Sequence, residues 1–334
     1  MNANLEGSEV SWQKKAKLSF IKMLFRFEEF GVFSALVILV VLLGLSTDVF
    51  LKPSNLLEIS RQTSYMGIMA LGAVFVIASG NIDLSVGAIY MLSPIITGLM
   101  LQSGHQPWFA VLAGLVTGIF CGAINGSLHI FLRIPMMVIS LGTTTIYRSV
   151  GLVLSKGFPI HKFKKEGFFF ETLGDMLGPI PTSALVWLLL VVILSILFKN
   201  TPFGNHVRGI GSNMQAALFS GINIAKVKFF VMVLQGFLCA VAGILSTLFL
   251  KVADPMAGNG FELYVIAAAI IGGTSLEGGS GSILGAVIGA FLITVIRSGI
   301  VLLGVHYYWT GIVTGSMIIG AVFLDYFVRR KRAK

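Results

Sequence analysis

The chain has 334 residues, of which 56% are hydrophobic and only 11% are charged, whereas soluble domains carry roughly a quarter charged residues. Its mean hydropathy is +0.91. A globular protein of this composition would leave much apolar surface in water, so a soluble enzyme and a disordered chain are both excluded. The two cysteines, Cys121 and Cys239, lie inside apolar runs, which argues against a disulfide framework or a zinc site.

Apolar runs along the chain predict an all-α polytopic bundle of about ten membrane-spanning helices, because each span needs about 20 apolar residues. The polar residues 1–29 contain no signal-peptide core and are predicted to form a cytosolic tail. The membrane domain is predicted over 30–328, followed by a basic tail over 329–334. The predicted spans are 30–47, 64–79, 84–101, 108–131, 135–155, 182–198, 228–250, 262–273, 281–303 and 307–327.

The positive charges predict the orientation of these spans. An even number of spans places both termini on one side, and the segments on that side hold 15 of the 24 lysines and arginines, against 7 on the other side. Cytosolic segments of membrane proteins carry such an excess. We therefore expect both termini in the cytosol, and we interpret the net charge of +10 as an orientation signal rather than a nucleic-acid-binding surface.

Glycines recur at four-residue spacing inside two predicted spans. Helices gain little from hydrophobic burial in lipid, so close approach of small residues contributes more to their packing. The sequence therefore predicts tight helix packing along both ladders. The ladders are Gly114, Gly118, Gly122 and Gly126, and Gly281, Gly285 and Gly289.

Two polar breaks interrupt the apolar sequence at corresponding places. Asp83 precedes the third span and Glu262 begins the eighth, and residues 81–88 align weakly with residues 260–267. An odd offset of five spans inverts one segment relative to the other, and inverted repeats with broken helices are typical of transport folds. Chance similarity remains the alternative. We expect Asp83 to cap the following helix, with contact to a transported solute as the second interpretation.

The long loop over 199–228 contains four basic residues and no acidic residue. Ser212 or Asn213 is placed to cap a short helix that runs through Phe219, and Gly221 is placed to end it. One side of this helix is apolar. A helix resting on the bilayer and a helix docking on a cytosolic partner both fit this pattern.

Four segments together resemble the permeases of monosaccharide ABC importers, the ribose, xylose and galactose group. The likeness covers about residues 35–328, and Asn81 replaces a glycine of the family pattern. The segments are Gly80-Asn81-Ile82-Asp83-Leu84-Ser85-Val86-Gly87, Ile134-Pro135 with Leu141-Gly142-Thr143, Asn213-Met214-Gln215-Ala216-Ala217-Leu218-Phe219-Ser220-Gly221-Ile222, and Ile271-Gly272-Gly273-Thr274-Ser275-Leu276-Glu277-Gly278-Gly279-Ser280-Gly281.

The resemblance implies a fold like that of the vitamin B12 importer permease and an assembly in the bacterial inner membrane. That assembly has two permease subunits, identical or homologous, two cytosolic ATP-binding subunits and a periplasmic solute-binding protein. The chain has no Gly-x-x-x-x-Gly-Lys-Ser/Thr loop, so it lacks the usual cradle for nucleotide phosphates. We expect no cofactor or metal in this chain, with ATP and Mg²⁺ bound by the partner subunit.

Two sets of residues are candidates for function. Hydroxyl, amide and carboxylate groups suit sugar hydroxyls and aromatic rings suit sugar faces, although each of these side chains also suits a hydrogen bond between helices. The candidate substrate pathway is Asn81, Asp83, Ser85, Tyr90, Asn125, Thr143, Thr144, Asn259, Glu262 and Tyr264. The candidate coupling residues towards the ATPase are Asn213, Ala216, Ala217, Leu218 and Gly221.

Other functions remain open at this stage. An autoinducer-type furanose or a nucleoside is an alternative solute. An ion-coupled secondary transporter would need a pair of acids near the membrane midplane, for which Asp83 and Glu262 are the candidates. A membrane enzyme is disfavoured because the five histidines are scattered and no nucleophile and base are paired.

Overall fold

The computed structural model describes residues 29–161, 163 and 169–306, with scattered positions from 308 to 323. These residues are helical apart from loops, one π-helical turn over Phe169–Leu173 and a small antiparallel hairpin of β1 (Met176–Leu177) and β2 (Ile180–Pro181). The helices are α1 (Phe30–Ser46), α2 (Pro53–Ala78), α3 (Val86–Gln102), α4 (Pro107–Leu132), α5 (Met136–Ser155), α6 (Thr182–Asn200), α7 (Pro202–Ser212), α8 (Met214–Phe219), α9 (Ile224–Leu250), α10 (Phe261–Ile271) and α11 (Ile283–Leu302).

Nine of the ten predicted spans coincide with helices. The predicted tails and most of the last span, 307–327, lie outside the described residues. Among the described residues, six helices are long and apolar enough to cross a membrane, and α1, α3 and α10 are shorter apolar helices. The prediction of a helical multi-pass membrane protein is therefore confirmed.

The second span begins earlier than the predicted residue 64, because α2 starts at Pro53. Its first turns contain charged residues, which the apolar pattern excluded. Arg61 donates a hydrogen bond to Glu58 over 2.8 Å, and its guanidinium lies 3.7 Å from the centroid of the Phe249 ring. The ion pair and the cation–π contact allow this arginine to pack inside the helix bundle.

Helix α2 forms the centre of the bundle, since 89% of its most apolar 18-residue stretch is buried. It packs against α6, α9, α10 and α11. The corresponding stretches of α4, α5 and α6 are only 28%, 28% and 33% buried. Their exposed faces carry many large apolar side chains, so these faces suit contact with lipid or with another membrane subunit.

The glycine ladders pack helices closely, as predicted. A methyl group on Gly118 would meet the carbonyl oxygen of Gly236 in α9, and one on Gly122 would meet the carbonyl oxygen of Met232. In the second ladder, a methyl group on Gly285 would meet the backbone of Gly272. The main chains are therefore too close for any side chain at these positions.

Both polar breaks interrupt helices. Helix α3 has 17 residues and α10 has 11, so at 1.5 Å per residue α10 is about 16 Å long, well short of the roughly 30 Å hydrocarbon core. The non-helical stretch 81–85 precedes α3, and 251–260, which is also non-helical, precedes α10. The predicted helical bundle is confirmed, with a non-helical segment before each of α3 and α10, whereas the inverted internal repeat stays a prediction.

Candidate functional site

The two interrupted helices meet at their N-terminal ends. A Cβ atom on Gly258, just before α10, would lie 2.6 Å from the carbonyl oxygen of Gly87 in the first turn of α3. The rings of Tyr90 and Phe261 lie 5.2 Å apart between centroids. Close main-chain contact between two breaks distant in sequence makes this junction the centre of the candidate site.

Helix α5 supplies the hydrogen bonds that the broken backbone lacks. The Oγ of Ser140 accepts from the N–H of Leu84 over 3.0 Å, and the Oγ1 of Thr144 shares its one proton between the carbonyl of Leu84 at 2.9 Å and the carbonyl of Ser140 at 2.6 Å. One turn further on, Nη2 of Arg148 donates to the carbonyl of Gly258 over 2.9 Å. Residues four apart share one helix face. One face of α5 therefore pairs backbone groups at both breaks.

A buried polar network lies beside the first break. Oδ1 of Asp83 accepts from the N–H of Ser85 over 2.8 Å and from its Oγ over 2.6 Å. Nδ2 of Asn125 donates to that same Oγ over 2.8 Å, and the hydroxyl of Tyr147 donates to Oδ1 of Asn125 over 2.9 Å. The network joins the start of α3 to α4 and α5.

The prediction that Asp83 caps the following helix is wrong. Helix α3 begins at Val86, and Ser85 occupies the cap position without a side-chain cap bond. The carboxylate of Asp83 instead bonds two residues ahead, which is an Asx-type turn. Because residues 81–85 are not helical, the carboxylate stabilises the break rather than the first turn of the helix.

Charged side chains gather at the second break. Oε2 of Glu262 lies 3.8 Å from Nη2 of Arg148, and each side chain is 21% exposed. The guanidinium of Arg297, on α11, lies 4.7 Å from the ring centroid of Tyr264 and 5.8 Å from that of Phe261. These arginines were missing from the candidate site. Their position inside spans was the available signal, because ionisable residues in a membrane commonly mark functional sites.

The predicted pathway residues separate into three groups. Five are buried, namely Asp83, Ser85, Tyr90, Asn125 and Thr143. Four are half-buried, namely Asn81, Thr144, Glu262 and Tyr264, and Asn259 is exposed immediately before α10. Thr143 and Asn81 bond only to neighbouring residues of their own segments. The other side chains come together around the two breaks, and their lining of a solute pathway stays a prediction.

The long loop contains two helices, of which only the second was predicted. Helix α7 begins with a Thr201 cap and Pro202, a combination that favours a helix start. Oδ1 of Asn213 accepts from the N–H of Ala216 over 3.0 Å, so Asn213 caps α8 as expected. Gly221 follows α8 with φ +79°, the left-handed conformation typical of a helix end.

The exposed face of α8 does not include Ala217, one of the candidate coupling residues. Ala217 is only 5% exposed and belongs to the main hydrophobic core. Met214, Leu218 and Phe219 are 52%, 59% and 88% exposed. Ala217 therefore anchors α8 to the bundle, and a partner on the outer face of α8 would meet the larger apolar side chains.

The described residues contain no group of three His, Cys, Asp or Glu side chains arranged to hold a metal ion. The carboxylate at the second break faces an arginine, and the one at the first break faces Ser85. The site therefore offers a small molecule hydroxyl and amide groups, aromatic rings, guanidinium groups and two carboxylate oxygens without a hydrogen bond, Oδ2 of Asp83 and Oε2 of Glu262.

The buried network generates a test of how far it holds the first break together. Asn125→Leu should remove the hydrogen bond to the Oγ of Ser85 and the amide acceptor of the Tyr147 hydroxyl, which keep their bonds to Asp83 and to the carbonyl of Cys121, at a cost of about 0.5–1.5 kcal/mol per bond lost. Tyr147→Phe alone should cost less, and the double variant should lose less stability than the sum of the two. Melting temperatures of the detergent-solubilised proteins measure this. Strictly additive effects would contradict a shared network.

Comparison with known proteins identifies the family. Residues 55–322 match the family described as branched-chain amino acid transport system / permease component. The chain is 40% identical to the ribose import permease protein RbsC of Bacillus subtilis over 92% of this chain and 94% of that protein. It is 35% identical to the D-allose transport system permease protein AlsC of Escherichia coli, over 91% and 93% of the two chains.

A solved structure supports the fold. The structure of a metal-chelate type ABC transporter in an inward-facing conformation matches with a TM-score of 0.53 and 14% identity, over 88% of this chain and 98% of that chain. At this identity the likeness concerns the fold alone. It agrees with the importer-permease fold predicted from the sequence. With its interrupted helices and its relatives taken together, the chain belongs to the family of ABC transport system permease components.

Proposed function

We propose that the chain is the permease subunit of an ATP-driven importer and forms the path of a monosaccharide across the membrane. The observation that carries the proposal is the meeting of two interrupted helices in a chain 40% identical to a ribose import permease over 92% of its length. A second relative is named for allose. Both sugars are small, neutral and rich in hydroxyl groups.

The chemistry of the junction suits such a solute. Thr144 and Tyr264 are half-buried and Asn259 is exposed beside the two breaks. The hydroxyl of Tyr264 and the amide of Asn259 exchange hydrogen bonds with sugar hydroxyls, the Oγ1 of Thr144 can accept one, and the ring of Tyr264 offers a flat apolar surface to a sugar face. The groups of Ser85 and Asn125 bond to each other, so they shape the junction while the less buried residues meet the sugar.

The charges at the breaks argue against ion-coupled transport. Arg148 lies 3.8 Å from Glu262 and would repel a cation held between the two acids, although the Oδ2 of Asp83 is buried without a hydrogen-bond partner. The chain also lacks the lysine-containing phosphate loop of ATPases. The energy therefore comes from a separate ATP-binding subunit in this proposal, and ATP and Mg²⁺ are bound there.

The remaining partners follow from the surfaces of the chain. The charge asymmetry supports cytosolic termini, which places α7 and α8 on the cytosolic side, within reach of the ATP-binding subunit. The exposed apolar faces of α4, α5 and α6 meet lipid and a second permease subunit. The opposite side of the membrane receives the sugar from a periplasmic solute-binding protein.

Uptake by reconstituted vesicles tests the proposed function. The permease is combined with its co-encoded ATP-binding subunit and solute-binding protein, and uptake of labelled ribose is measured with ATP or ADP on the ATPase side. We expect uptake that requires ATP, survives ionophores and is inhibited by unlabelled ribose more strongly than by a nucleoside or a furanose autoinducer. Uptake driven by an ion gradient without ATP would contradict the proposal.

The outer face of α8 yields a prediction about docking. Phe219→Arg should bury an unpaired charge in the contact with the ATP-binding subunit and weaken that contact by about a hundredfold, since each 1.4 kcal/mol is tenfold. Ala225→Arg, an exposed position of the same loop, is the matched control and should be tolerated. Co-purification of the ATP-binding subunit with each variant measures the effect.

A helix that rests on anionic lipid makes the opposite prediction. Added arginine would then strengthen attachment to the membrane surface, and Phe219→Arg would retain the ATPase as well as Ala225→Arg does. That outcome would remove α8 as the docking element. Ala217→Arg is unsuitable for this test because Ala217 is buried in the bundle, so its substitution would disturb folding.

A further inference from the structure

Three segments of the chain meet at a set of glycines that the site at the breaks does not include. Gly80 follows α2, Gly211 lies at the end of α7, and Gly278 and Gly279 lie in the loop between α10 and α11. We name these four residues the glycine junction. The N–H of Gly279 donates to the carbonyl of Ala78 over 2.9 Å, so the contact includes a main-chain hydrogen bond.

The junction leaves no space for side chains. A Cβ atom on Gly211 would meet the carbonyl oxygen of Ala78 and lie 2.5 Å from the backbone nitrogen of Gly279. A Cβ atom on Gly278 would lie 2.9 Å from the carbonyl oxygen of Gly211 and 3.1 Å from the Cα of Gly80. The main chains of the three segments are therefore in direct contact. No side chain lies between them that could change its rotamer when one segment moves.

Each segment of the junction leads to a different functional part. Gly211 is separated from α8 only by Ser212 and its cap Asn213. Gly80 directly precedes the non-helical residues 81–85, which lead into α3. The loop with Gly278 and Gly279 connects α10 to α11.

The loop is also fixed at its base. Gly272, at the end of α10, packs against the backbone of Gly285 in α11, leaving no space for a Cβ atom at either position. The end of α7, which leads into the predicted docking helix α8, therefore contacts the segment before α3 and the loop after α10 through one cluster of main-chain contacts.

We propose that the glycine junction is the rigid link that transmits the movement of α8 to both interrupted helices at once. This inference rests on the proposed function, because it requires an ATP-binding subunit docked on α8. It assigns a role to the glycine-rich stretch 272–281, which lacks the lysine of the nucleotide-binding phosphate loop. Gly211 is its key positioning residue, since its Cα faces the other two segments.

A pair of glycines in α7 gives a matched test. A Cβ atom on Gly211 would collide with the junction, whereas one on Gly209 would meet only a methyl group of Ile222 at 3.8 Å. Both replacements by alanine raise helix propensity equally. Gly209→Ala should transport normally. Gly211→Ala should still co-purify with the ATP-binding subunit and hydrolyse ATP, but the sugar imported per ATP should fall by about tenfold, a typical coupling strength.

A cross-link tests rigidity independently of the alanine variants. A Cβ atom on Gly279 would lie 2.9 Å from the Cβ of Ser212, close enough to approach disulfide geometry with a small shift. The native cysteines, Cys121 and Cys239, are buried. In Ser212→Cys/Gly279→Cys, the added side chain at position 279 should lower uptake per ATP even in the reduced protein, and a rigid junction predicts that oxidation lowers this remaining, measurable uptake no further. Loss of uptake on oxidation, restored by a reductant, would show that the segments separate during transport and would overturn the proposal.

The outcomes distinguish this inference from the proposed function. Absence of ATP-driven sugar uptake by the unaltered protein would refute the proposed function. Normal uptake per ATP by Gly211→Ala, with an active unaltered protein, would refute the junction alone. The cross-link decides the question if Gly211→Ala does not accumulate in the membrane.

Discussion

The face of α5 formed by Ser140, Thr144 and Arg148 supplies hydrogen bonds that two interrupted helices cannot make within themselves. Inside a bilayer, a backbone N–H or C=O without a partner costs several kcal/mol, so irregular backbone persists only where protein or water satisfies it. The two breaks are stable because each forms hydrogen bonds to the same helix, α5. Their relative position is therefore set by α5.

This constraint accounts for the composition of the junction. The broken backbones must approach α5 and each other, so Gly87 and Gly258 occupy the points of contact. Arg148 serves the backbone of Gly258 and also faces Glu262, which lowers the cost of placing a charge there. The network from Asp83 to Tyr147 holds the first break from the other side. The polar side chains that suit a sugar are thus also the ones that make the breaks possible.

The first break links the two functional regions of the chain. At one end, Gly80 lies in the glycine junction beside the loop that carries α8. At the other end, Ser85 lies in the network beside the meeting point of the interrupted helices. Only the four non-helical residues 81–84 separate them. A displacement at the docking loop therefore has a short path to the residues proposed to meet the sugar.

The sequence predicts those features that depend on local pattern. Spans follow from apolar runs, the breaks from polar residues inside them, and the α8 cap from Asn213. It does not predict features that depend on distant contacts. The direction of Ala217, the cation–π contact of Arg61 and the role of Arg148 each require a partner far along the chain. Asp83 was predicted to cap α3 because the sequence does not show that the non-helical segment continues to Ser85.

Amide hydrogen exchange over residues 81–88 tests the role of α5 most directly. Ser140→Ala/Thr144→Val removes both hydroxyls that bond to Leu84, and Thr145→Val/Ser149→Ala makes the same chemical changes at exposed positions with the same spacing. We predict exchange faster by about tenfold in the first variant, the effect of losing roughly 1.4 kcal/mol of protection, and no change in the second. Equal exchange in both variants would contradict the account.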